Sequence, residues 1–251
     1  MGELKLYGLI GYPLGHSFSK KYFTEKFKRE NLSDFQYENF PLKDIDELHK
    51  LLRDFSLNGL NVTIPYKEKV IAFLDEQTET VQQIGACNCI KIENGKLTGH
   101  NTDVPAFLES IQSMILPHHK KALVLGSGGA AKAINFALDI LKIDTLTVSR
   151  TSKADNSIQY KDISNALLKE YSVVINTTPV GTFPNVHECP DIPYQYLTSA
   201  HLLFDLVYNP DPSLFLQKGK EQGAAGKNGY EMLQLQADKS WEIWKGKSAG
   251  C

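Results

Sequence analysis

The stretch that decides the fold is Lys121-Ala122-Leu123-Val124-Leu125 running into Gly126-Ser127-Gly128-Gly129-Ala130-Ala131. The first five residues read as a short buried strand. The next six fit G-x-G-x-x-A at the entry to a helix over residues 130–141. In that context glycines let the backbone turn tightly and approach a pyrophosphate, which meets free N–H groups and the positive end of the helix dipole. Glycine turns before helices also occur without a ligand, so the reading rests on the strand before and the helix after. The next strand, residues 145–148, runs into Ser149-Arg150-Thr151 without an acidic residue. An acid there would hold the ribose 2′-hydroxyl of NAD. An arginine suits a 2′-phosphate, because guanidinium pairs with it bidentately. The pattern therefore favours NADP over NAD; the plainer reading is a surface arginine at a strand end.

Outward from this turn, residues 173–176 and 202–207 read as further strands with helical stretches between or after them. Such alternation predicts a parallel, doubly wound sheet. Residues 104–116 precede it as a helix. Residues 230–244 form a last helix with Trp241 and Trp244, expected to pack back on the first part of the chain. That first part has its own α/β pattern. Strands are expected over residues 4–10, 35–40 and 60–64, and helices over 20–30 and 42–55. A hairpin over 86–98 turns at Asn94-Gly95. The expectation is an α/β protein of two domains separated by a cleft. Residues 1–102 with 231–251 form an α/β substrate domain, and residues 103–230 a Rossmann-type nucleotide domain.

The chain has 251 residues, is 42% hydrophobic and 22% charged, and carries a net charge of −2, so it has the make-up of an ordinary globular protein. Near-neutral charge gives no general attraction to nucleic acid or anionic lipid. No apolar run approaches the roughly 18 residues of a membrane helix. The N-terminus is broken by Glu3, Lys5, Gly8, Gly11 and Pro13 and does not read as a signal peptide. Four cysteines are too few for a disulfide scaffold, and Cys87 with Cys89 lacks a second pair to complete a zinc site, so no metal is expected. A cytoplasmic enzyme is the expectation.

Three stretches of the first domain could carry chemistry. Ser17 and Ser19 can point the same way and bind an anion or hydroxyl; they equally suit a helix cap. In Asn61-Val62-Thr63-Ile64-Pro65-Tyr66-Lys67, Pro65 suits the first position of a helix. Lys67 would then oppose that helix's dipole, at a cost of roughly 0.3–1 kcal/mol, which hints at function. In Asn101-Thr102-Asp103, at the domain boundary, Asp103 could cap the following helix.

Together these residues resemble the shikimate dehydrogenase family, in its order and along nearly the whole chain. Ser17 and Ser19 are similar to the family's carboxylate-binding serines. Asn61 to Lys67 resembles its Asn-Val-Thr-x-Pro-x-Lys motif, and Asn88 falls at its substrate-binding asparagine. Residues 101–103 resemble its Asn-Thr-Asp, and Phe204-Asp205-Leu206-Val207-Tyr208-Asn209-Pro210 its Tyr-Asn-Pro segment. Met232-Leu233 followed by Gln236-Ala237 resembles the start of its last helix. Three positions depart from its pattern: Lys20 after the second serine, Ser149 before Arg150, and the bulky Tyr230-Glu231.

The resemblance implies NADP-dependent, reversible reduction of 3-dehydroshikimate to shikimate, in aromatic amino-acid biosynthesis. It implies that Ser17 and Ser19 hold the carboxylate, and that Thr63, Asn88, Tyr208 and Gln236 bind the rest of the substrate. It gives Lys67 the proton exchange at the C3 oxygen, with Asp103 orienting lysine and substrate. It sets Gly126, Ser127, Gly128, Gly129, Ala130, Ser149, Arg150, Thr151, Leu206, Gly229 and Glu79 against the cofactor. The loop after Thr177-Thr178-Pro179 is expected to line the cleft. The partner is a small molecule, with neither nucleic acid nor membrane, and the chain acts as a monomer or homodimer. Two alternatives stand beside this: a dehydrogenase of mixed quinate and shikimate specificity, and a non-catalytic ligand sensor on the same fold.

Overall fold

A computed structural model describes residues 4–15, 18–151 and 156–246. The chain divides into two compact units, residues 1–102 with 236–251 and residues 103–235, so the division falls inside the last helix.

The first unit runs β1 (Lys5–Gly11), α1 (Phe18–Arg29), β2 (Phe35–Pro41), α2 (Glu47–Asp54), β3 (Leu57–Val62), β4 (Glu76–Gln77), α3 (Glu79–Ile84), β5 (Cys89–Glu93) and β6 (Lys96–His100). Its sheet has the order β2-β1-β3-β5-β6-β4. Strands β1, β2 and β3 are parallel, and β5 joins β3 antiparallel. The β5–β6 hairpin turns where expected. Asn94 and Gly95 both take positive φ, 54° and 78°, as a tight two-residue turn requires.

One face of this sheet buries aromatic rings. Tyr7, Phe23, Phe27 and Tyr37 pack with Trp241 and Trp244 from the last helix. The Trp244 indole stacks on Tyr7 at 4.7 Å and donates to the Ile90 carbonyl at 3.0 Å. A buried indole needs such a partner for its N–H, so two kinds of interaction fix this helix end in one register.

The second unit runs α4 (Asp103–Ile111), β7 (Lys121–Leu125), α5 (Gly129–Ile140), β8 (Asp144–Ser149), β9 (Ser157–Gln159), α6 (Asn165–Glu170), β10 (Val173–Asn176), β11 (Leu202–Asp205), α7 (Leu214–Glu221), β12 (Ala225–Asn228) and α8 (Tyr230–Trp244). Its sheet is parallel throughout, in the order β12-β11-β10-β7-β8-β9. Counted from β7 this is the doubly wound order 3-2-1-4-5-6, with the switch point between β7 and β10. Helices cover both faces of such a sheet, so its central strands are apolar without alternation. Ala122 to Leu125 and Val173 to Ile175 are accordingly all fully buried.

Three expectations of local structure are corrected. Residues 42–46 are not helical. Leu42 N–H donates to the Gly11 carbonyl, and Asp44 Oδ1 accepts from Asp46 N–H, so the chain turns before α2 begins. Residues 112–114 tighten into a 3₁₀ turn, so α4 stops at Ile111. Pro65 does not open a helix. Tyr66 N–H closes a turn onto the Thr63 carbonyl, and the buried Tyr66 hydroxyl donates to the Leu42 carbonyl at 2.7 Å. This pulls the chain inward, and a 3₁₀ helix starts only at Lys69. Lys67 therefore sits half-buried in a turn, and the helix-dipole argument for it falls.

Candidate active site

Within the first unit, the motif residues converge on a buried hydrogen-bond network. Asn88 precedes β5, and its backbone is held by Val62 and His100. Its side chain grips Thr102: Thr102 N–H donates to Asn88 Oδ1 at 2.7 Å, and Asn88 Nδ2 donates to Thr102 Oγ1 at 2.9 Å. Asn61, at the end of β3, accepts the Tyr37 hydroxyl at 2.8 Å. Its Nδ2 donates to Ser240 Oγ at 2.8 Å and toward the Asn88 carbonyl at 3.4 Å. Ser240 donates to the Gln236 carbonyl at 2.8 Å, which ties the turn of α8 that carries Gln236. Ser19 is buried in the first turn of α1. Burial holds the Tyr37 phenol well above its usual range, so it works as a neutral hydroxyl.

Lys67 joins this group through its backbone: Cys87 N–H donates to the Lys67 carbonyl at 2.7 Å. The lysine turn is thereby fixed one residue from Asn88. Thr63 is half-buried, and its N–H donates to the Ile10 carbonyl at 2.9 Å. Asp103 follows Thr102 directly and opens α4, buried at 5% exposure. Glu79 stands apart as an exposed residue at the start of α3, where it accepts from Gln83 at 3.0 Å. Ser17 lies outside the described residues.

His100 lies beside this network on β6. Its pKa is lowered, first by burial and then by the Lys91 charge, so it is held neutral.

In the second unit the glycine turn sits at the switch point, where open α/β sheets bind ligands. Gly126 takes φ +117°, and a Cβ there would lie 2.5 Å from Thr177 Oγ1. The fold itself therefore demands glycine at this position. Gly128 differs. Its φ is −86°, and a Cβ there would meet nothing within 4 Å. Neither backbone nor packing requires this glycine, so its bareness leaves room for something outside the chain. Gly128 also caps α5 without a side-chain hydrogen bond, and the first turn of α5 holds no acid. No carboxylate of that turn competes for its N–H groups. Ser127 is exposed, and Gly129 and Ala130 are half-buried.

Arg150 and Thr151 are exposed just beyond β8. The Ser149 hydroxyl instead donates to the Thr151 carbonyl at 2.9 Å, so it shapes the loop from inside. This donor set, backbone N–H groups at a helix start and an exposed guanidinium, fits a dinucleotide that carries an extra phosphate.

Neighbouring loops are locked by a pairing that the motif reading did not give. Asn176 and Asp205 lie side by side at the ends of β10 and β11. Asn176 Nδ2 donates to Asp205 Oδ1 at 2.9 Å, while Asn176 Oδ1 accepts both Thr178 N–H and its hydroxyl. Asp205 also accepts from Val207 N–H at 3.0 Å and from the Ser213 hydroxyl. This holds the segment that carries Leu206 and Tyr208. Burial raises the Asp205 pKa to about 6 despite those donors. Burial likewise raises the Tyr208 phenol. Gly229 approaches the Leu206 backbone so closely that a Cβ would lie 2.4 Å from its carbonyl oxygen.

The motif reading named Asn88, Lys67, Asp103 and Gln236 as candidates, but gave no role to Tyr37, Asn61, Thr102 or Ser240. The signal for Asn61 and Thr102 was their place inside quoted motifs. Tyr37 and Ser240 carry no local signal. Among the described residues no group of three His, Cys, Asp or Glu side chains could hold a metal ion, and no helix is long and apolar enough to cross a membrane.

Comparison with known proteins bears on the whole chain. A family model for the shikimate dehydrogenase substrate binding domain matches residues 9–90. The shikimate dehydrogenase (NADP(+)) of Carboxydothermus hydrogenoformans is 39% identical, over 98% of this chain and 94% of that protein. The crystal structure of shikimate dehydrogenase 1 from Peptoclostridium difficile matches with TM-score 0.85 and 31% identity, covering 98% of this chain and 93% of that one. A shikimate 5-dehydrogenase from Thermus thermophilus, solved with NADP(H) and shikimate, matches with TM-score 0.85 and 28% identity, over 97% and 94%. With a relative this similar along nearly its full length, the chain belongs to the shikimate dehydrogenase family.

Proposed function

We propose that this chain is an NADP-dependent shikimate dehydrogenase. It catalyses the reversible reduction of 3-dehydroshikimate to shikimate in aromatic amino-acid biosynthesis. The observation that carries this reading is kinship: a relative of that activity matches 98% of the chain, and the quoted motifs stand in the family's order.

The turn from Gly126 to Ala130 would receive the pyrophosphate on the N–H groups of α5. Arg150, helped by Thr151, would take the 2′-phosphate, and the segment at Leu206 and Gly229 would border the nicotinamide. When bound, NADP supplies the hydride acceptor or donor at C3 of the substrate. The protein's own work is positioning and proton transfer. Ser17 and Ser19 bind the carboxylate, and Thr63, Asn88, Tyr208 and Gln236 bind hydroxyls. The Lys67 ammonium gives its proton to the C3 oxygen in reduction, and its amine takes that proton back in oxidation. Asp103 orients the lysine and the substrate hydroxyl. Glu79 is proposed at the cofactor's edge, on the family resemblance alone.

The chain works on a small molecule, as a monomer or homodimer. Among the described residues Cys87, Cys89 and Cys189 form no disulfide, which suits the reducing cytoplasm. Calorimetric titration tests the cofactor half. NADP⁺ should bind more tightly than NAD⁺, and Arg150→Ala should remove the preference. Equal affinity for the two in the unaltered protein would overturn the role given to Arg150.

A further inference from the structure

We propose that Ser240 is a positioning residue of the substrate site, its hydroxyl fixing Thr102 and the turn of Gln236 against Asn61. This rests on the functional reading above.

Ser240 is fully buried, one helical turn after Gln236 and outside every motif quoted for the family. Its hydroxyl meets three groups: the Gln236 carbonyl at 2.8 Å, Asn61 Nδ2 at 2.8 Å and Thr102 Oγ1 at 3.3 Å. The chemistry of the neighbours sets the direction of each bond. The Gln236 carbonyl can only accept, so the Ser240 proton goes there. Asn61 Nδ2 can only donate, so Ser240 Oγ accepts from it. Thr102 Oγ1 already accepts from Asn88 Nδ2, which leaves its proton for Ser240. Beyond Asn61 the order continues. Asn61 turns its Nδ2 to the Asn88 carbonyl, so its Oδ1 must accept from Tyr37. The Tyr37 proton is then committed to Asn61.

A single set of proton positions therefore runs from Tyr37 to Asn88, through Asn61, Ser240 and Thr102. Asn88, at one end of this network, is a proposed substrate ligand, and Asp103 follows Thr102. Asn61, Asn88 and Thr102 are at most 3% exposed, so water cannot replace a lost partner. One side-chain change in the middle is then felt at both ends. A hydroxyl that merely satisfied its neighbours would instead affect stability alone.

The test uses Ser240→Ala, which removes the hydroxyl without adding bulk, and Ser240→Thr, which restores it. Hydrogen exchange at the Thr102 amide is read by NMR in the ligand-free protein. Exchange should speed up by roughly fivefold to tenfold in Ser240→Ala, the size of one lost buried hydrogen bond. Tyr37→Phe, two links further along, should speed the same amide. In turnover, Ser240→Ala should raise KM for shikimate by a similar factor and leave KM for NADP⁺ unchanged, and Ser240→Thr should recover most of the loss. A lower melting temperature with unchanged Thr102 exchange and unchanged shikimate KM would overturn the proposal. The exchange measurement needs no substrate. An unaltered protein that fails to oxidise shikimate would therefore count against the functional reading, separately from the network.

Discussion

The Asn88 side chain holds Thr102 at both of its polar ends, accepting from the Thr102 N–H at 2.7 Å and donating to its hydroxyl at 2.9 Å. An amide used this way is a staple. It fixes the backbone that leads into Asp103. Thr102→Val keeps the shape and removes the hydroxyl, leaving a buried amide proton without its acceptor. Stability should fall by about 1–3 kcal/mol in urea unfolding. The kcat/KM for shikimate should fall with it, while KM for NADP⁺ holds. An unchanged kcat/KM would reduce the pair to scaffolding.

Gly126 and Gly128 make opposite predictions although they lie two residues apart. Gly126→Ala forces a Cβ into φ +117° and onto Thr177, so the melting temperature should drop. Gly128→Ala meets open space, so stability should stay within about 0.5 kcal/mol. Yet NADP⁺ affinity should fall, because on the proposed binding mode the methyl would stand where the pyrophosphate approaches. Normal NADP⁺ binding by Gly128→Ala would remove that turn from the cofactor site.

Replacing Lys67 by Ala should lower kcat by roughly 10²–10⁴, the range for a lost proton-transfer group. Shikimate affinity, followed by calorimetry, should change far less. A variant with normal kcat would take Lys67 out of the chemistry.

Acid should weaken the second unit through His119. This ring is 4% exposed, and its Nδ1 accepts the Leu116 N–H at 3.0 Å, so it is neutral in the fold. Burial, then the charge of His118, lowers its pKa from the ordinary 6.5. As pH falls below 6.5, the unfolded chain gains a proton that the folded chain refuses. Stability therefore decreases with falling pH until the folded pKa is reached. His119→Gln should flatten that slope in unfolding curves between about pH 7 and 5. A slope identical to the unaltered protein's would contradict the assignment.

Asp205 acts in the opposite direction. Its folded pKa of about 6 exceeds the ordinary 3.8, so the folded state holds its proton more firmly. The associated stability is complete below pH 3.8 and is lost as pH rises through about 6. Over that window the protein should lose on the order of 2–3 kcal/mol relative to Asp205→Asn. Parallel pH profiles for the two proteins would show that Asp205 does not titrate there.

Much of this was legible in the sequence where the signal is local. Strands β7 and β10 and helix α8 read directly, because buried parallel strands are continuous apolar runs and a long helix repeats its apolar face. The glycine turn was equally plain. The turn at residues 63–66 was not. Proline suits the start of a helix, but the Tyr66 hydroxyl has a buried partner at Leu42, 24 residues away, that no pattern announces. The same holds for Ser240, whose bond to Asn61 spans 179 residues. A serine inside a helix looks neutral until the fold shows what it meets.

The central claim is tested most directly by initial rates of nicotinamide reduction in four mixtures: shikimate or quinate, each with NADP⁺ or NAD⁺. The account predicts fast turnover with shikimate and NADP⁺, and slow or no turnover in the other three. Preference for quinate or for NAD⁺ would contradict the pocket or the Arg150 assignment. NADP⁺ binding without turnover in any mixture would contradict the catalytic reading and favour a ligand sensor.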